Sequence, residues 1–212
     1  MIRRNVRWVA AIALIPAISL SVPALGQGTP GLRLQTHSFV FARYASASSS
    51  SLYAVNGLGP LGAFVGMSQN PTSQYRELAA GIFTQVSWSS QNVWVGVAYG
   101  DASESQYVLT YVAPSFSRGR LALSGTLKWY NPLGRSGIRQ LHLNPASFEV
   151  RLTKHLLAGG VYILALEESV PPGHRVGSVV EWALPKASFR LEVLQRTSDR
   201  LVEVRCVVLA SS

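Results

Sequence analysis

Cysteine is almost missing from this chain. Cys206 is the single thiol in 212 residues, so no internal disulfide can brace the fold, and stability must come from packing or from a membrane. No cysteine stands near the apolar amino end, so the attachment chemistry of a bacterial lipoprotein has no acceptor there. Cys206 alternates with Val204 and Val208, and the expectation is a small buried hydrophobe. Charge is scarce as well. Asp, Glu, Lys and Arg make up 14% of the residues, against about 25% in an ordinary soluble domain. A surface facing lipid would explain that shortage.

The usual marks of chemistry are also sparse. His37, His142, His155 and His174 are far apart, with no paired spacing for a metal. There is no nucleophile elbow, and the serines sit in loops without a His and Asp beside them. Glu167 and Glu168 are adjacent, so on a strand they point to opposite faces and cannot flank one substrate. Gly57, Gly59, Gly62 and Gly66 lack the Lys-Ser/Thr ending and the following helix of a phosphate loop, and read as turn or linker. No residue is nominated as catalytic, cofactor-binding or metal-ligating, and the expectation is a protein that is not an enzyme and needs no cofactor.

What is present begins with a leader. Arg3, Arg4 and Arg7 precede an apolar run from Trp8 to Leu20, followed by Val22-Pro23-Ala24-Leu25-Gly26. A basic start, an apolar centre and small residues at the end describe a secretory signal peptide over residues 1–26, with Ala24 or Gly26 the last residue removed. Pro16, Pro23, Ser19 and Ser21 shorten the run below the ~20 apolar residues of a spanning helix. Three of the 19 basic residues leave with this leader and none of the 10 acidic ones, so residues 27–212 stay basic. Their arginines are dispersed along the chain, which argues against a nucleic-acid partner. Membrane lipid and a small anionic solute are the expected partners, and the sequence names no protein partner.

The remainder, a single domain over 27–212, alternates with a period of two. From Arg120 to Tyr130 one face reads Leu121, Leu123, Gly125, Leu127 and Trp129, and the other Arg120, Ala122, Ser124, Thr126, Lys128 and Tyr130. A strand separates those two sets and a helix mixes them. The device recurs. Val40 opposes Arg43 between Leu32 and Tyr44; Val93, Val95, Val97 and Tyr99 oppose Trp94, Gly96 and Ala98; Phe148, Val150 and Leu152 oppose Glu149 and Arg151. Asn144-Pro145 is expected to halt one strand and Pro171-Pro172-Gly173 another, because proline has no ladder donor. Short turns join about ten to twelve strands, and no helical period appears after the leader.

Two architectures produce this pattern, an antiparallel up-and-down β-barrel with its apolar face in lipid and a soluble β-sandwich with that face in its core. Eleven residues at about 3.3 Å each, tilted by about 40°, cover roughly 28 Å, close to the ~25 Å apolar band of an outer-membrane barrel. Trp88, Tyr99, Phe116, Trp129, Tyr130 and Trp182 stand near strand ends, where a membrane barrel carries its aromatic belts. Over residues 32–209 the pattern resembles the small bacterial outer-membrane β-barrels. It departs from them in its basic charge and in ending Val208-Leu209-Ala210-Ser211-Ser212 without a terminal aromatic.

The resemblance implies export to the bacterial outer membrane and a structural, adhesive or limited solute-passage role. The alternative is a soluble periplasmic or secreted sandwich that binds a ligand, glycan or protein. In the barrel reading Arg120, Lys128, Glu149, Arg151, Glu181, Arg190, Glu192, Arg196, Glu203 and Arg205 share the lumen, where cross-strand ion pairs would fill a narrow bore and an excess of Arg would favour anions.

Overall fold

The computed structural model describes residues 36–46, 49–103, 105–134 and 137–211. The proposed signal peptide and residues 27–35 lie outside them. Among the described residues twelve strands follow one another, β1 (Thr36–Ala45), β2 (Ser50–Leu58), β3 (Leu61–Asn70), β4 (Tyr75–Trp88), β5 (Gln91–Ala102), β6 (Gln106–Arg118), β7 (Leu121–Pro132), β8 (Gln140–Arg151), β9 (Leu156–Glu167), β10 (Val170–Leu184), β11 (Ala187–Arg196) and β12 (Val202–Ser211). Each pairs antiparallel with its sequence neighbours, and β1 pairs with β12 from Phe39↔Ser211 to Ala45↔Arg205, closing the sheet. Closure from Phe39 onward leaves neither β1 nor β12 as a free sheet edge over these described residues.

The alternating side chains decide which face looks out. Leu121, Leu123 and Leu127 remain 45%, 44% and 43% exposed, while Ala79, Phe83, Ala98, Tyr107 and Leu109 from the opposite faces of their strands are buried. The apolar half of the pleat is therefore the outer wall, which in water would be a large exposed hydrophobic surface. A sandwich core would have hidden these leucines. The fold is a transmembrane β-barrel of the outer-membrane type.

Its two ends differ. At the turn end, where β1 begins and β12 finishes, three two-residue hairpins span 59–60, 89–90 and 119–120, a fourth spans 185–186, and 152–155 joins β8 to β9. Gly119 has φ +61° there, a conformation a side chain resists. The connections at the loop end reach seven residues, 133–139. Exposed Trp88, Trp182 and Phe189 lie on the outer wall near the turn end, and exposed Tyr44, Tyr99 and Trp129 near the loop end. Phe116 shares the outer face through its partner Leu123. Tyr130 does not, since it turns inward against Tyr107 at 5.1 Å between ring centres.

Several local expectations are corrected. Arg118 pairs with Leu121, so Gly119 and Arg120 form a turn, and the stretch read as one strand from Arg120 begins at Leu121. Asn144-Pro145 does not halt β8. Leu127 pairs with Leu143 and Gly125 with Ala146, so the proline sits in a β-bulge where its missing N–H costs no ladder bond. Pro171 and Pro172 are absorbed likewise, between the pairs Val170↔Glu167 and Gly173↔Ala165. Cys206 is exposed on the outer wall instead of buried.

Candidate pore interior

The inward faces divide into two kinds of wall. Along β1 to β7 they carry rings: Phe39 meets Trp94 at 5.8 Å, Phe83 stacks on Trp94 at 4.7 Å, and Phe64 meets Tyr111 at 5.8 Å. The first and last of these contacts join strands that are not neighbours, so the rings reach into the bore. Glycine makes the room. Tyr53 lies over its register partner Gly66, Phe83 over Gly62, Tyr111 over Gly96 and Tyr107 over Gly100, and a Cβ at any of these glycines would overlap the ring. Gly62 and Gly66 are thus seats for aromatic rings within the sheet, not linker. Tyr107 and Tyr75 each donate a hydroxyl hydrogen bond of 2.5 Å to Glu77.

Along β8 to β12 the inward faces carry charge. Arg190 Nη1 lies 2.6 Å from Glu149 Oε1 and 3.2 Å from Glu181 Oε2, and its Nε donates to Glu192 Oε1 at 2.8 Å. Arg205 Nε donates to Glu203 Oε1 at 2.6 Å, and its Nη1 reaches Asn144 Oδ1 at 3.2 Å. The β8 bulge helps place that asparagine in the lumen. Arg175 Nε lies 3.3 Å from Glu203. Between these polar groups Val161, Ile163, Val179 and Leu194 form a small buried apolar cluster. On the turn-end side the Arg190 cluster meets a recess of about 540 Å³, lined by Ser87, Asn92, Ser115, Ser124 and Leu157.

Six of the ten charges singled out from the sequence therefore meet in two linked clusters: Glu149, Glu181, Arg190, Glu192, Glu203 and Arg205. Lys128 stands apart from them on β7, between outward Leu127 and Trp129. Arg120 is exposed in the β6–β7 turn, Arg151 is exposed at the end of β8, and Arg196 ends β11 with Asp199 at 3.0 Å. Sequence reasoning passed over Arg43, Glu77, Asn144 and Arg175. Arg43 was legible from its opposition to Val40, and Arg175 from its place beside outward Val176.

Arg43, on β1, donates from Nη2 to Ser51 Oγ at 3.1 Å, while its Nε is buried without a hydrogen-bond partner among the described residues. In a closed ring of twelve strands β1 and β7 are six places apart, so Arg43 and Lys128 stand on opposite walls. Among the described residues neither has a carboxylate within 4.0 Å. Arg175, Arg190 and Arg205 are all paired.

This barrel is similar to solved porins. The KdgM porin superposes with a TM-score of 0.61 at 10% identity, over 82% of this chain and 98% of that one. The KdgM porin in complex with disordered oligogalacturonate gives 0.62 at 10% identity over the same shares. The NanC porin gives 0.56 at 12% identity, again over 82% and 98%. At such identities the likeness is one of fold. No family model and no curated protein matches the chain.

Proposed function

We propose that this protein is a non-enzymatic channel of the outer membrane that passes small anionic solutes in limited amounts, after export directed by residues 1–26. The observation that carries the reading is the pair Arg43 and Lys128, on the opposite walls β1 and β7, neither with a carboxylate within 4.0 Å among the described residues. A cation without a direct ion pair leaves positive potential in the bore, tempered by the more distant Glu203 near Arg43 and Glu77 near Lys128, and a low-dielectric wall strengthens what remains. An anion entering there replaces hydration with charge-assisted contacts to these side chains. Aromatic faces beside them give a solute with an apolar or sugar-like surface a place to slide. That the similar KdgM porin is described in complex with oligogalacturonate supports the anionic class. Passage is limited because Phe39–Trp94 and Arg190–Glu149 both cross the interior between non-neighbouring strands.

The test is the reversal potential of the reconstituted protein in planar bilayers under a potassium chloride gradient. The native chain favours chloride, and Lys128→Glu shifts the potential toward potassium. A cation preference in the native chain, or no conductance at all, contradicts the reading.

A further inference from the structure

The turn end of the barrel carries an arc of cations that the pore does not use. Arg118 and Arg120 belong to the β6–β7 hairpin, Arg151 and Lys154 to the end of β8 and the turn into β9, and Lys186 to the β10–β11 turn, and all five are exposed. Main-chain bonds at this rim place the connections side by side. Arg151 N donates to the Arg120 carbonyl at 2.8 Å, Ala183 N to the His155 carbonyl at 2.8 Å, and Ser211 N to the Lys186 carbonyl at 2.9 Å. Residues 117–122, 151–156 and 183–188 contain no Asp or Glu. None of the five cations has a carboxylate within 4.0 Å among the described residues. At the loop end the signs mix, with Arg139 and Arg200 beside Glu168 and Asp199.

We infer that this arc is a docking surface for the headgroups of anionic phospholipids. The occupant follows from what the arc adjoins. Outer-wall residues Leu121, Trp182, Leu184 and Phe189 are exposed within one to four residues of the cations in the same hairpins. The charged rim therefore begins where the hydrocarbon-facing belt ends. That is the depth of lipid phosphates, and long basic side chains keep their stems on the apolar wall while the charge reaches the headgroup layer. Short turns mark the periplasmic side of an outer-membrane barrel, so the lipids are those of the inner leaflet. A soluble anionic polymer would need the charges but not the belt beside them.

The test uses the full chain reconstituted in phosphatidylcholine vesicles carrying a trace of spin-labelled phosphatidylglycerol or phosphatidylcholine, with the motionally restricted lipid read by electron spin resonance. The native chain restricts phosphatidylglycerol about threefold more strongly than phosphatidylcholine at low salt, and the preference falls toward parity in about 1 M salt as the surface charges are screened. The triple variant Arg120→Gln, Lys154→Gln, Lys186→Gln loses most of the preference at low salt, with heat-modifiable gel migration confirming its barrel. Arg139→Gln at the loop end keeps the preference. Equal restriction of the two lipids by the native chain, a preference insensitive to salt, or a preference retained in the folded triple variant overturns the inference.

Discussion

Arg190 on β11 reaches Glu149 on β8 at 2.6 Å, past the two intervening strands β9 and β10. A contact between strands so separated is a chord through the interior, and it ties one arc of the wall to another where neighbouring strands are tied only by their ladders. With Glu181 and Glu192 on the same guanidinium, one part-buried cation holds three carboxylates. Such an arrangement costs desolvation to build and far more to break on one side.

Arg190→Ala leaves Glu149 buried without its cation and Glu192 with only the longer contact to Arg205 Nη1 at 4.0 Å. The expected loss is about 3–5 kcal/mol of unfolding free energy, the range for breaking a buried pair by removing one partner. Denaturant unfolding of the lipid-reconstituted chain, followed by tryptophan emission, measures it. Glu181→Gln, whose carboxylate is the most exposed of the three, costs less. An Arg190→Ala barrel as stable as the native one would show that the cluster braces nothing.

The aromatic wall predicts a second sensitivity. Gly100 lies under the Tyr107 ring, so Gly100→Ala pushes that ring off its seat and strains its hydroxyl bond to Glu77. Overpacking of this kind costs about 1–3 kcal/mol. Gly134, in a loop with open space around it, accepts alanine with little change. The same unfolding measurement compares the two.

Placing one charge on each face of β4 separates outside from inside. Ile82, mid-strand and 63% exposed, faces lipid, and Ile82→Arg costs about 2–4 kcal/mol, as expected for arginine near the bilayer midplane. Gln85→Arg points into the bore beside Ser87 and costs less, because the charge meets polar groups. Equal penalties would contradict the assignment of faces.

The alternation that gives these faces was plain in the sequence wherever polar and apolar residues took strict turns, as from Leu121 to Trp129. Reading failed where local chemistry had two solutions. Pro145 and Pro172 look like stops, and become bulges only because the flanking residues keep their partners. Arg120 continues the alternation of β7 in sequence yet belongs to a turn, because Gly119 allows a two-residue hairpin. Tyr130 was expected at the interface by its nearness to a strand end, while its face sends it inward. Ion-pair partners were illegible for another reason. That Arg190 meets Glu149, or that Arg43 opposes Lys128, depends on closure of twelve strands, and no window of sequence contains it.

Cys206 offers the most direct test of the claim that the apolar half of every strand meets hydrocarbon. It lies mid-strand on β12, exposed on the outer wall, and is the chain's one thiol, so it can be labelled with bimane without any substitution. In vesicles, acyl-chain brominated lipids are predicted to quench that bimane strongly while aqueous iodide does not. Quenching by iodide with none from the brominated chains would put this face in water and contradict the account.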